Sequence, residues 1–230
     1  MNYTELLTPE MQQTLQAAGY ETPTPIQEQS LEMLLGGRDL IGIAQTGTGK
    51  TAAFAVPIIE KINPDNRKPQ ALILCPTREL ALQTTAVFKK LSQHKKMRTV
   101  SIYGGQNVRV QIQALRGGAQ VVVGTPGRVK DLIGQNALKL NNIRFVVLDE
   151  ADEMLDFGFL PDIKWILGTI PDERQMMLFS ATMSKEISGI AQSYLTTPET
   201  IAVGERNEPT KTVRQMSIHT PESGKITTVN

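Results

Sequence analysis

The stretch Ala44-Gln-Thr-Gly-Thr-Gly-Lys50-Thr51 constrains this chain more than any other. It follows the β-branched apolar run Asp39-Leu-Ile-Gly-Ile43 and precedes an apolar, helix-like run from Ala52 to Ile62. Strand, glycine-rich turn and helix in that order make a phosphate cradle. Small residues let backbone N–H groups turn onto phosphate oxygens, and the start of the helix adds its partial positive charge. In such a loop Gln45, Thr46, Gly47, Thr48 and Gly49 present the backbone and Lys50 reaches the β- and γ-phosphates. The Thr51 hydroxyl ligates Mg²⁺. The strict pattern is G-x-x-x-x-G-K-[ST], and Ala44 stands at its first position. A glycine-rich turn that merely joins strand to helix is the competing reading. Lys50 and Thr51 directly after Gly49, and an acidic strand end downstream, argue against it.

The chain beyond this loop alternates short apolar runs with amphipathic ones. Apolar runs fall at Ala71–Cys75, Thr99–Tyr103, Gln120–Val123, Phe145–Leu148, Met176–Phe179 and Thr200–Val203. Helical patterns fall at Arg78–Leu91, Val108–Leu115, Gly127–Ile133, Glu153–Ile170 and Ser184–Leu195. Continuous apolar runs imply strands buried on both faces, and the intervening helices make the sheet parallel: an α/β protein. Upstream, Thr8-Pro9 reads as an N-cap with a helix-initiating proline, ended by Gly19. A second helix spans about Ile26 to Leu35, because the prolines at 23 and 25 exclude an earlier start. From about Gly204 the pattern fades into polar residues, with a short strand-like run at Val213–Ile218. That segment reads as a linker or tail.

Composition narrows the setting. No run approaches the ~18 apolar residues of a membrane helix, and Met1-Asn-Tyr-Thr-Glu lacks an export signal, so no membrane partner and a cytoplasmic location are expected. One cysteine, Cys75, excludes an intrachain disulfide and sits in an apolar run, where it reads as a packed core thiol. The net charge is +1, so any polyanion site must be a local patch.

In an open parallel sheet, ligands bind beyond the carboxyl ends of the strands. The unusual residues follow apolar runs: Pro76-Thr-Arg-Glu-Leu80, Gly104-Gly105, Thr125-Pro-Gly-Arg128, Asp149-Glu-Ala-Asp152 and Ser180-Ala-Thr182. Beside a phosphate loop, Asp149 suits holding Mg²⁺, and Glu150 suits orienting and deprotonating the water that attacks the γ-phosphate. Acids also complement helix N-termini, and Ser and Thr cap helices, so each motif has a purely structural alternative. His94 and His219 have no ligand set around them. Trp165 reads as core, and Lys89-Lys90 with His94-Lys95-Lys96 as a solvated basic face.

Together these residues resemble the first domain of DEAD-box ATP-dependent RNA helicases over roughly residues 3 to 203. Asp149-Glu-Ala-Asp152 is the motif that names the family, and Ala44–Thr51 is similar to its motif I. Pro76–Leu80, Gly104-Gly105, Thr125–Arg128 and Ser180–Thr182 resemble motifs Ia, GG, Ib and III. Gly19-Tyr-Glu-Thr-Pro-Thr-Pro-Ile-Gln27 resembles the Q motif. The resemblance implies a single RecA-like domain of the P-loop NTPase class, a parallel sheet flanked by helices on both faces. Its divisions would be a Q-motif region at 1–38, an ATP-binding core at 39–205 and a linker or tail at 206–230.

The resemblance also implies roles. ATP and Mg²⁺ are the ligands of the phosphate loop. Gln27 reads adenine through a bidentate amide contact, Tyr20 lies near the base, and Tyr3 is the candidate to stack on it. Pro76, Thr77, Arg78, Gly104, Gly105, Thr125, Pro126, Gly127 and Arg128 contact RNA. Amides, hydroxyls and guanidinium groups of this kind grip phosphates and read no base, so binding is sequence-independent. Glu79 pairs with a basic group instead. Asp152, Ser180 and Thr182 couple nucleotide state to domain closure. The family's second RecA-like domain, with its arginine fingers, has no counterpart here and becomes a required partner. A missing finger costs ~10³–10⁵ in rate, roughly 4–7 kcal/mol. A non-catalytic RNA-binding or assembly module with a vestigial nucleotide site is the alternative from another class, and a DNA-directed ATPase is a third reading.

Overall fold

The protein is described by a computed structural model covering residues 3–203; the strand-like run at Val213–Ile218 and His219 lie outside the described residues. Seven strands form one sheet: β1 (Leu40–Ala44), β2 (Ala71–Leu74), β3 (Thr99–Ile102), β4 (Val121–Gly124), β5 (Phe145–Leu148), β6 (Gln175–Ser180) and β7 (Glu199–Val203). Their spatial order is β3-β4-β2-β5-β6-β1-β7, and every pairing is parallel. Apolar residues occupy both faces of these strands because both faces are covered. Along β2, Ala71 and Ile73 enter one core, while Leu72 and Leu74 enter the other.

The first core lies under α1 (Pro9–Ala17), α2 (Pro25–Leu35), α3 (Lys50–Lys61) and α4 (Arg78–Leu91). At its centre Phe54 packs between Phe179 and Phe88, with ring centroids 5.4 and 6.2 Å apart. Burial of each ring contributes roughly 1.5–3 kcal/mol. Gly42 of β1 makes room for this cluster, since a Cβ there would lie 2.5 Å from Phe179 Cδ1. Met11, Leu15, Ile26 and Leu34 belong to the same core, so α1 and α2 pack onto the sheet. The second core lies under α5 (Val108–Arg116), α6 (Pro126–Gly134), α7 (Ala151–Asp156), α8 (Leu160–Leu167) and α9 (Lys185–Tyr194).

Three local expectations change. The helix expected over 153–170 is two helices, parted at Phe157-Gly158-Phe159, where Gly158 takes φ +78°. A left-handed residue ends one helix and lets the next start in a new direction. Trp165 is 41% exposed, because Ile163, Ile166 and Leu167 hold the inward face of α8. Lys95 is not simply solvated: its ammonium donates to Ile59 O and Glu60 O at 2.6 and 2.7 Å, satisfying carbonyls at the end of α3. No described helix is long and apolar enough to cross a membrane. Cys75 is free and buried beside Thr84.

Candidate nucleotide site and strand-end loops

The topology sorts the strand ends into two groups. β1, β5 and β6 adjoin through β6, and their carboxyl ends carry the phosphate loop, the acidic motif and Ser180–Thr182. β3, β4 and β2 form the neighbouring half and carry the glycine pair, Thr125–Arg128 and Pro76–Leu80.

The phosphate loop turns from β1 into α3 through two left-handed glycines, Gly47 at φ +84° and Gly49 at φ +91°. At Gly49 a side chain is excluded twice over: a Cβ would sit 2.6 Å from Gln27 Nε2 and 2.8 Å from Thr24 Oγ1. Lys50 is 5% exposed, with its ammonium donating to Ala44 O at 2.8 Å and lying 3.0 Å from Glu150 Oε1. Thr46 donates its hydroxyl to the same carboxylate oxygen at 3.3 Å. Glu150, the second acid after β5, is therefore held in a compact group with Lys50 and Thr46.

Glu150 holds a left-handed backbone, φ 52° and ψ 55°, at the start of α7. For a non-glycine residue that conformation costs about 1–3 kcal/mol, so the surrounding packing must enforce it. Asp149 is 4% exposed, and its Oδ1 has no hydrogen-bond partner among the described residues. Burial, reinforced by the Glu150 carboxylate, pushes Asp149 up to about 7, against the pull of Lys50. A buried carboxylate oxygen without a partner among the described residues, beside a second carboxylate, offers oxygen donors of the kind that suit a hard cation such as Mg²⁺.

Asp152 joins the acidic motif to β6. Its Oδ2 accepts from Ala181 N, Thr182 N and Thr182 Oγ1 at 3.1, 3.0 and 3.1 Å, and Ser180 Oγ accepts from Asp152 N at 3.3 Å.

Gln27 spans from α2 to the phosphate loop. Its Oε1 accepts from Thr24 N at 3.0 Å and its Nε2 donates to Gly49 O at 3.1 Å. One lone pair and one N–H of the amide remain, the pair that a bidentate contact to adenine uses. Tyr20, Gln27 and Ala52 line a cavity of about 420 Å³ beneath α1. Lys90 lies over the Tyr20 ring, 5.7 Å from its centroid. Tyr3 opens a 3-10 turn, Tyr3–Leu6, and its side chain lies outside the described residues.

On the other half, Thr77 caps α4 by accepting from Leu80 N at 3.3 Å, and Thr125 precedes Pro126 at the start of α6. Arg78 is exposed and stacks over Tyr103, 5.0 Å from its centroid, which joins the loops after β2 and β3. Gly104 and Gly105 are exposed, Gly127 is half-buried, and Pro76 is buried. Arg128 is largely committed: it donates to Gln106 O and Gln111 Oε1 at 3.1 and 3.2 Å. Glu79 makes no ion pair among the described residues.

Comparison with known proteins decides what this arrangement is. The DEAD/DEAH box helicase family model matches residues 24–190. The chain belongs to the DEAD/DEAH box helicase family. It is 43% identical over 223 residues to a DEAD-box ATP-dependent RNA helicase CshA of Bacillus subtilis, covering 97% of this chain and 45% of that protein. It is 46% identical over 227 residues to an ATP-dependent RNA helicase CshA of Limosilactobacillus reuteri, covering 98% and 46%. The crystal structure of a DEAD box protein from Methanococcus jannaschii matches with a TM-score of 0.83 and 40% identity, covering 85% of this chain and 54% of that one. The fold is thus the RecA-like α/β domain of DEAD-box proteins, and the chain spans about half the length of these relatives.

Two positioning residues of this DEAD-box domain escape motif reading. Gln111 is 2% exposed and donates to Tyr103 O and Gln106 Oε1 at 2.9 and 2.8 Å, which, with Arg128, ties the loops after β3 and β4 into one body. Asp39 accepts from Met176 N and Thr196 N, both at 2.7 Å, stitching the starts of β1 and β6 to the segment before β7. Neither lies in a recognisable pattern; each is a buried polar side chain, and the partners of Asp39 lie 137 and 157 positions away.

Proposed function

We propose that this chain is the ATP- and RNA-binding first domain of an ATP-dependent RNA helicase, acting with a second RecA-like domain in a soluble, cytoplasmic protein. The observation that carries the reading is the placement of Glu150 3.0 Å from Lys50 with Asp149 buried beside them. In this reading Lys50 neutralises β- and γ-phosphate charge, and Glu150 orients and deprotonates the attacking water. Thr51 and Asp149 would hold Mg²⁺, which would supply charge neutralisation at the phosphates. Gln27 selects adenine with its unused lone pair and N–H, and Tyr20 flanks the base. The exposed amides of Gly104 and Gly105 and the Arg78 guanidinium hold RNA phosphates, while Arg128 and Gln111 position the loop. Asp152 transmits the state of the acidic motif to Ser180–Thr182.

Titration with fluorescent ADP and GDP, with and without Mg²⁺, tests the nucleotide half: saturable ADP binding with GDP much weaker is expected, and equal affinity would defeat the adenine assignment. For the helicase half, Glu150→Gln joined to a second domain is expected to lose turnover and retain ATP-dependent RNA binding. Indifference to that substitution would favour a non-catalytic RNA-binding module. Equal affinity for matched RNA and DNA strands would remove the RNA assignment.

A further inference from the structure

The end of the sheet opposite the motif loops carries its own cluster of cations. The segments entering β2, β4 and β5 border a groove of about 880 Å³, lined by Arg67, Lys68, Arg116 and Lys139 together with the amides of Asn141 and Asn142. No Asp or Glu lines it, and none of the four cations makes an ion pair with a described residue. In a chain of net charge +1, four unpaired cations around one groove are a local excess.

The groove is built as well as charged. Arg67 and the neighbouring Arg98 donate to the same carbonyl, Gly117 O, at 3.1 and 2.7 Å. Two guanidinium groups on one neutral acceptor repel each other, and an anion placed beside them relieves that repulsion. Gly117 and Gly118 permit the approach. A Cβ at Gly117 would lie 2.8 Å from Arg98 Nη1, and at Gly118, with φ +86°, one would lie 3.1 Å from Arg67 Nε. Two buried glutamines hold the loop that carries Arg67. Gln70 donates to Asn63 O and Asn66 O at 2.7 and 2.9 Å; Gln120 donates to Pro64 O at 2.7 Å and accepts from Arg98 N at 2.9 Å. Arg67 is thus fixed in place before any ligand arrives, which lowers the ordering cost of binding at that position.

We propose that this groove is a second phosphate-binding site, separate from the nucleotide loop and the strand-end loops, for a ligand with closely spaced phosphates. Such a ligand is either a free oligophosphate or the phosphodiester backbone of an RNA strand. Guanidinium and ammonium groups grip phosphate oxygens, and the asparagine amides add neutral donors.

Calorimetric titration of the 230-residue chain with inorganic tripolyphosphate tests it, in a Lys50→Ala background that disables the first phosphate site. Tripolyphosphate is expected to bind this variant, and Arg67→Gln with Arg116→Gln and Lys139→Gln to weaken binding at least tenfold. These side chains are exposed, so the thermal melt should persist. If it does not, Lys68→Gln with Lys139→Gln, whose side chains hold no described residue, repeats the measurement. A parallel titration with single-stranded RNA separates the two sources: three cations withdrawn from a backbone reduce the salt slope by about 2. Loss confined to tripolyphosphate identifies a free anion, and loss confined to RNA identifies the backbone. Affinities for both that ignore the groove substitutions would overturn the proposal. The RNA arm rests on the RNA-binding function proposed above, whereas the tripolyphosphate arm does not, so failure of the wild-type chain to bind RNA counts against that function and leaves the groove to be judged on tripolyphosphate.

Discussion

Thr182 donates twice to one oxygen of Asp152, through its N–H at 3.0 Å and its hydroxyl at 3.1 Å. Removing the hydroxyl keeps the backbone contact, so Thr182→Val should cost only about 1 kcal/mol, a charge-assisted bond discounted for exposure. Asp152→Ala removes the acceptor for three donors and should cost more. Chemical denaturation of the two variants checks the order; equal midpoints would mean that the backbone donors Ala181 N and Thr182 N add nothing beyond the Thr182 hydroxyl.

Gly49→Ala and Gly47→Ala separate conformation from crowding. Both glycines have φ near +85–90°, but only at Gly49 does an added Cβ meet neighbours, Gln27 Nε2 at 2.6 Å and Thr24 Oγ1 at 2.8 Å. Gly47→Ala should cost about 1 kcal/mol from backbone strain alone. Gly49→Ala should cost more and weaken fluorescent ADP binding at least tenfold, because Gln27 must give way.

The pH dependence of stability should carry the mark of Asp149. Its folded value of about 7 lies above the unfolded carboxylate range, so between about pH 4 and 7 the folded state holds a proton that the unfolded state has released. That makes the slope of stability against pH negative: this group's contribution is present below the unfolded pKa and is lost as pH rises through about 7. Asp149→Asn should flatten the slope, read from metal-free thermal melts between pH 4.5 and 8. An unchanged slope in the variant would assign the dependence elsewhere.

Gly42→Ala would drive a Cβ to 2.5 Å from the Phe179 ring, costing roughly 1–3 kcal/mol by overpacking. Phe179→Leu alone should also destabilise, yet the double variant should lose less than the sum. Denaturant midpoints of the four proteins give the coupling; strict additivity would show that the two positions do not press on each other.

Much of this domain was readable from sequence because its chemistry sits where strands stop. Asp149 and Glu150 follow Phe145–Leu148, and the phosphate loop follows β1, so apolar runs and unusual residues located both the sheet and its working edge. The parts that were not readable depend on which groups the fold brings against a side chain. Asp39 and Gln111 look like ordinary polar residues until their backbone partners are brought up by the fold. The break at Gly158 was hidden because Phe157 and Phe159 keep the apolar rhythm across it, although only Phe157 is strongly exposed. Trp165 was misplaced for the related reason that aromatic character predicts burial while helix phase decides it. At Lys95 charge predicted solvent, and the carbonyls ending α3 claimed it.

The place of β1 between β6 and the edge strand β7 governs when it can pair as the chain is made. β1 pairs only with β6 and β7, and its Asp39 anchor reaches Met176, 137 positions later. During synthesis at ~5–20 residues per second, the strand that launches the phosphate loop waits on the order of ten seconds for its neighbours. β2, β3 and β4 can pair meanwhile, so the half of the sheet that carries the glycine pair, Thr125–Arg128 and Pro76–Leu80 can assemble before the nucleotide half closes. Throughout that interval Leu40, Ile41 and Ile43 form an unpaired apolar edge, the segment of a nascent chain that a holdase would cover.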